Sequence, residues 1–342
     1  MKRPTLRRLA GALPLLILLL AAPGAFAGGQ EEAPPPPRLR LAAVLPENAG
    51  FQPYAAVLAG TRRAVEEAEL VALEESLPAF PGEMNQRIRD VAEAGNADVL
   101  VAAGNRAATT VVQTPGDVQS ILFDAVVLGD PRVSSLGVNH RELSYLAGYA
   151  IGQVLADEAT GRASIVVGDT GEGVQEVVEP AFALGVQAVA PEVEIAILYL
   201  RPDFTGSDIR SILAGHETDA LFVLGSAEAE VLAQAVRDRE LPVAWQNRFG
   251  PAPEGGFLAR AGVDLEEYAY RRVRSALDGE LSYGEPEILA PGDELLHFSV
   301  NPERFPGDEG RDRAERVRRM RERLESGEIE LLVPEGRVVR AP

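Results

Sequence analysis

Val138-Asn139-His140-Arg141-Glu142-Leu143-Ser144-Tyr145-Leu146-Ala147-Gly148-Tyr149-Ala150-Ile151-Gly152 decides the fold. It reads as a short extended piece, a polar break and an amphipathic helix. Leu143, Leu146, Ala147, Ala150, Ile151, Val154 and Leu155 recur at helical spacing and make one apolar stripe. Gly148 and Gly152 lie four apart on that helix, a spacing suited to close packing against a neighbouring element. Three strand–helix units precede the stretch and the same alternation resumes after it. It is therefore expected to carry the chain from one α/β lobe into a second, with a ligand cleft between them.

Working outward, Leu39–Leu45, Val71–Leu73, Val99–Ala103 and Ile121–Phe123 are short apolar runs separated by helical periods. Ser164–Val167, Val193–Leu198, Ala220–Leu224 and Val243–Trp245 repeat the pattern beyond the crossing. A helix over Leu265–Leu277, a strand over Leu295–Val300, a charged helix over Arg311–Glu325 and a terminal strand over Ile329–Val333 complete it. Such alternation implies right-handed βαβ units on parallel sheets. Some 300 residues exceed one ordinary core and suit two lobes.

The first 27 residues have the form of a secretory signal. Lys2, Arg3, Arg7 and Arg8 form a basic start, Leu9 to Ala22 an apolar centre, and Ala25-Phe26-Ala27 a cleavage site. The apolar run is too short and wrongly flanked to span a membrane. Residues 28–37, with Glu31, Glu32 and four prolines, read as a flexible leader. Without cysteine there is neither a disulfide nor a thiolate metal site, nor an acylated cysteine to tether the mature end. Removing the signal takes four basic residues from 33 and none of the 52 acids, leaving 29 minus 52, or −23. A chain so acidic will not seek nucleic acid or anionic lipid.

In open α/β sheets ligands bind beyond the carboxyl ends of the strands. Those ends carry Glu47, Phe51, Tyr54, Asn105, Asp124, Phe204, Trp245, Gln246 and Asn247. Aromatics, amides and acids without a histidine or nucleophile suit a small, planar, hydroxylated ligand held between lobes. Gly168-Asp169-Thr170-Gly171-Glu172-Gly173 is spaced unlike a dinucleotide loop, and its two acids would repel phosphate. His140, His216 and His297 form no metal-spaced pair. Gly225-Ser226 lacks the frame of a nucleophile elbow.

Four stretches resemble the basic membrane protein family, the PnrA-like periplasmic purine-nucleoside-binding components of ABC importers. They are the loop and helix around Gly50–Glu67; Asp124 with Glu142-Leu143-Ser144-Tyr145-Leu146-Ala147-Gly148; Pro180–Val186 with Pro191 and Asp203-Phe204; and Glu325-Ser326-Gly327-Glu328-Ile329. The resemblance implies a two-lobed type I periplasmic-binding fold in which a purine stacks between two aromatics and acids hold the ribose. It puts Phe204 at the second stacking position, Phe51 or Tyr54 at the first, and Asp124 at the first-lobe acid. The chain departs from the family at Gly50–Tyr54, where paired aspartates are missing. It departs again at Ala244-Trp245-Gln246, where an amide replaces a carboxylate, and where Arg260 is the nearest substitute for a lysine.

The expected organisation is a signal over 1–27, a leader over 28–37, lobe 1 over 38–137 and 246–285, and lobe 2 over 138–245 and 286–342. Three crossings would lie near Gly137, Gln246 and Glu285. The expected protein is a monomeric periplasmic solute-binding component of an ABC system. It needs no cofactor or metal, hands a nucleoside-like solute to a membrane permease, and catalyses nothing. A sensor module of the same fold is the alternative.

Overall fold

Burial on both faces selects the strand sequences, since a parallel sheet covered by helices tolerates near-continuous apolar runs. Val99–Ala103 is buried at every position, as is Val243–Asn247. The computed structural model describes residues 39–45, 52–68, 71–157, 161–167, 175–200, 206–225, 233–234, 241–247, 256–331 and 339–340.

The first sheet contains β1 (Leu39–Val44), β2 (Val71–Ser76), β3 (Val99–Ala103), β4 (Gln119–Phe123), β6 (Val133–Val138) and β12 (Pro286–Leu289). Their order is β12-β6-β4-β3-β1-β2, all parallel. The second contains β7 (Arg162–Val167), β8 (Glu194–Tyr199), β9 (Ala220–Gly225), β10 (Val243–Asn247), β11 (Ala259–Val263) and β13 (Leu296–Val300). Its order is β13-β11-β10-β9-β7-β8, parallel except for the antiparallel β11–β13 edge. A short β5 (Val127–Leu128) pairs with β14 (Val339–Arg340).

Helices cover both faces of each sheet. On the first, α1 (Gln52–Glu66) and α7 (Leu265–Leu277) share one core, while α2 (Pro81–Ala94) and α3 (Asn105–Gln113) share the other. On the second, α4 (His140–Leu155), α5 (Gln175–Gln187) and α8 (Gly310–Glu325) lie on one face and α6 (Gly206–Gly215) on the other. Gly148 lets α4 and α5 meet backbone to backbone: a Cβ there would sit 2.2 Å from Phe182 O, and one on Gly185 would sit 2.1 Å from Tyr145 O. Gly60 does the same for α1 and α7, where a Cβ would fall 2.2 Å from Glu266 O.

Over Val138–Gly152 the chain passes from β6 of the first sheet to α4 on the second. The other two crossings differ from the expected positions. Both β10 and β11 belong to the second sheet, so the chain returns at Asp264 rather than near Gln246. β12 belongs to the first sheet, so the last crossing falls over Ala290–Leu295 rather than near Glu285. β11 hides because Ala-Arg-Ala-Gly-Val has little strand character. β12 hides because it opens on a proline, tolerated only at a strand start or edge. The expected terminal strand fails over Ile329–Leu331, where Leu331 is instead buried against Tyr145, Leu146 and Leu324. The signal and leader lie outside the described residues.

The crossings are laid side by side. Asn139 N–H donates to Leu289 O at 2.7 Å, and Asp264 N–H donates to Leu295 O at 2.9 Å. Each crossing residue also caps the helix it opens: Asn139 Oδ1 accepts from Glu142 N–H at 3.2 Å, and Asp264 Oδ1 from Glu267 N–H at 3.0 Å.

Candidate functional site

Each sheet has one point where the strand order reverses, between β1 and β3 in the first and between β7 and β9 in the second. Loops at the carboxyl ends of such strands diverge and leave a crevice.

In the first lobe the structure brings Tyr54, Asn105 and Asp124 to that end. Tyr54 lies in the first turn of α1, half-buried against the core shared with α7. Its hydroxyl is 3.4 Å from the position a Cβ on Gly104 would take. Gly104 has φ +89 and donates its N–H to Phe123 O at 2.8 Å, so the chain turns sharply out of β3 into α3. Asn105 is the first residue of α3, whose N-cap glycine contributes no side-chain bond. The first turn of α3 thus opens at the cleft end of the sheet.

Asp124 is the informative position. Its φ is +54, the only positive value at a non-glycine among the described residues. Both neighbours are pinned: Phe123 O accepts from Gly104, and Ala125 N–H donates to Leu136 O at 2.9 Å. A left-handed conformation in an L-residue costs about 1–2 kcal/mol, somewhat less for aspartate, and such strain gathers at functional sites.

The second-lobe residues divide by strand alternation. Trp245, 1% exposed, points away from α4 and packs its ring 5.3 Å from that of Phe257. It is part of the core. Gln246 is also 1% exposed and points the other way. Its Nε2 lies 2.7 Å from His140 Nδ1, and its Oε1 accepts from Ser144 Oγ at 3.4 Å. Gln246 thus anchors the end of β10 to the first turns of the crossing helix. Asn247, also buried, ends β10 beside Gly225. Glu47, Phe51, Phe204 and the loop from Gly168 to Gly173 lie outside the described residues. Arg260 is near the start of β11, bonded to Ser299 Oγ at 3.1 Å, away from the carboxyl end.

Burial raises the carboxyl pKa of Glu142, in the first turn of α4, with the Glu325 carboxylate adding to the effect. No group of three or more His, Asp or Glu among the described residues is placed to hold a metal ion.

The family model for ABC transporter substrate-binding protein PnrA-like (Bmp) matches residues 54–214. Over this span the chain is similar to that family. The match runs from Tyr54 through the crossing to the end of α6, so it takes in Tyr54, Asn105, Asp124 and Phe204. Among solved structures, an ABC transporter solute-binding protein from Aeropyrum pernix K1 aligns with TM-score 0.65 at 14% identity, covering 86% of this chain and 93% of that one. A carbohydrate transporter solute-binding protein from Agrobacterium radiobacter, in complex with D-arabinose, gives 0.57 at 14% identity, covering 82% and 98%. A transcriptional activator of the comK gene from Bacillus halodurans gives 0.60 at 14%, covering 84% and 98%. No curated protein matches. The chain has the type I periplasmic-binding fold, two parallel-dominated sheets flanked by helices. None of the helices among its described residues is long and apolar enough to cross a membrane.

Strand ends alone do not reveal two features of the site. His140 and Ser144 hold Gln246, and their only local signal is their place on the crossing helix. Gly104 shapes the turn into α3, and its signal is a glycine between a buried strand and a polar helix start.

Proposed function

We propose that the protein is the periplasmic solute-binding component of an ABC uptake system, taking a purine nucleoside or a related ring-bearing solute between its lobes and presenting it to a membrane permease. The single observation that carries the proposal is Asp124. It is an acid in a strained left-handed turn at a carboxyl strand end, the end that also carries Tyr54 and Asn105, inside the span that matches the PnrA-like family model. In this reading Tyr54 or Phe51 supplies one ring and Phe204 the other. Asp124 accepts from ribose hydroxyls, and Asn105 and Asn247 address the remaining polar edges. Trp245 and Gln246 set the shape and anchoring of the wall rather than touching the solute.

A screen of nucleosides, sugars and amino acids by thermal shift tests the proposal. A ligand at a hundred times its Kd stabilises by about 2.7 kcal/mol, several degrees in a domain of this size. Asp124→Gly separates strain from binding. The variant adopts the left-handed turn without strain and lacks the carboxylate, so the nucleoside-induced shift is expected to disappear. A variant that unfolds early yet keeps its full shift would make Asp124 a structural residue.

The address follows the signal-like first 27 residues: secretion across the inner membrane, cleavage near Ala27, and a soluble, unlipidated mature chain. Intact mass of protein from its host is expected to correspond to a start near Gly28. A retained leader or an added acyl mass contradicts this.

A further inference from the structure

β6 reads Val-Ser-Ser-Leu-Gly-Val and is buried at all but its last residue, between β4 and β12. A glycine weakens a strand interior and often marks the close approach of another backbone, and a buried hydroxyl needs a partner. Side chains alternate along the strand. Ser134 turns towards α7, where its Oγ accepts from Arg272 at 2.9 Å, and Leu136 joins the core shared by α1 and α7. Ser135 and Gly137 share the other face. There Ser135 Oγ accepts from Val127 N–H at 3.0 Å, and a Cβ on Gly137 would sit 2.5 Å from Val126 Cγ2. The β4–β6 ladder also runs on past Phe123, with Ala125 N–H donating to Leu136 O at 2.9 Å. Ser135, Leu136 and Gly137 thus form a seat for Ala125, Val126 and Val127, the three residues that follow Asp124. β5 itself is held by β14.

We infer that Gly137 is a positioning residue for the Asp124 carboxylate: its bare Cα lets Val126 pack onto β6, and that packing sets where the acid stands. The inference rests on the proposed reading of Asp124 as the acid that meets the solute. Asp124 hangs between two pins, Gly104 N–H on Phe123 O and Ala125 N–H on Leu136 O. The second pin belongs to the seat. A methyl on Gly137 would press on Val126 midway between Ala125 and Val127, whose amides are both tied to β6. Valine is stiff at χ1, so relief comes from the backbone. The turn at Asp124 lies just beyond, already in the left-handed region that an L-residue adopts least readily. Displacement gathers there and turns the carboxylate away from the solute hydroxyls, whose charge-assisted bonds are short and demanding in geometry. β6 also leads straight into the first crossing, with Asn139 two residues on, so the seat and the hinge share one strand.

Titration calorimetry of the full mature chain with adenosine, inosine and guanosine tests this. Gly137→Ala is expected to weaken the nucleoside that wild type binds by about tenfold or more. In a Val126→Ala background, where the opposing methyl is gone, the same substitution should cost less than about threefold, a rescue that a general loss of stability would not show. Ser135→Ala frees Val127 N–H without adding bulk, and it should weaken binding in the same direction even if Gly137→Ala folds poorly. Amide exchange gives a readout free of solute: Gly137→Ala should speed Ala125 and Val127 while Ile121 and Leu122 stay protected. Nucleoside affinity within about twofold of wild type in either seat variant, a loss that Val126→Ala does not relieve, or unchanged exchange at both amides overturns the inference. Asp124→Asn tells two failures apart. If it loses binding while Gly137→Ala does not, only the positioning role falls. If it binds as wild type does, or if none of the three nucleosides binds wild type, the reading of Asp124 falls and the inference with it.

Discussion

Gly148→Ala is expected to cost the protein about 3 kcal/mol or more, a fall of roughly 6–10 °C in melting temperature. The added carbon would sit 2.2 Å from Phe182 O, 3.0 Å from Phe182 C and 3.1 Å from Val186 N. All three are backbone atoms of α5, which cannot rotate aside as a side-chain tip can. Gly185 faces the same crossing from the other helix, and Gly152 lies one turn on, where an added Cβ would be 2.9 Å from Val186 O. Relief therefore requires α4 and α5 to separate, which opens the core around Phe182 and Phe222, whose rings stack at 5.0 Å. Gly82→Ala is the control, because nothing lies within 4 Å of the place its new methyl would take and alanine is the better helix former. Chemical denaturation of the two variants should show a large loss for the first and none for the second. Equal effects would mean the helix crossing yields easily.

Asp130→Ala is expected to cost about 3 kcal/mol, because it strands an arginine that the fold has half enclosed. The Asp130 side chain is 4% exposed and Arg132 24%. Arg132 donates to both carboxylate oxygens, at 3.0 and 2.6 Å, and also to Thr114 O at 3.0 Å and Gly116 O at 2.7 Å. It closes the carboxyl end of α3 and so braces the turn before β4. The hydrogen bonds from Arg132 hold the Asp130 carboxyl below its ordinary value of 3.8. A carboxyl depressed by folding contributes stability that is fully present above its unfolded pKa and is lost as pH falls through the folded one. Wild-type stability should thus drop below about pH 4, while the Asp130→Ala variant, already lacking the pair, should show a shallower acid loss. Parallel pH profiles for the two proteins would place the acid sensitivity elsewhere.

The two parallel sheets were legible because strands buried on both faces leave unmistakable apolar runs. What hid was set by partners distant in sequence. β11 is a strand because β10 and β13 flank it, not because Ala-Arg-Ala-Gly-Val prefers extension. Tyr54, Asn105 and Asp124 do lie at the carboxyl end of the first sheet, where the sequence put them. Strand-end position did not distinguish the three consecutive residues Trp245, Gln246 and Asn247, since the two faces of one strand differ only through what packs on them. Trp245 meets Phe257, while Gln246 meets His140 and Ser144 about a hundred residues earlier in the chain. The left-handed turn at Asp124 has no sequence signature beyond aspartate's tolerance of it.

Titration calorimetry of purified mature protein with purine nucleosides, on wild type and Phe204→Ala, addresses the proposed capture of a ring-bearing solute most directly. One nucleoside or close relative should give a saturable one-to-one heat with wild type. Base–aromatic stacking is worth roughly 1–3 kcal/mol, so Phe204→Ala should weaken that ligand about ten- to a hundredfold. No saturable heat from any purine nucleoside, or an affinity in Phe204→Ala within about twofold of wild type, would contradict it.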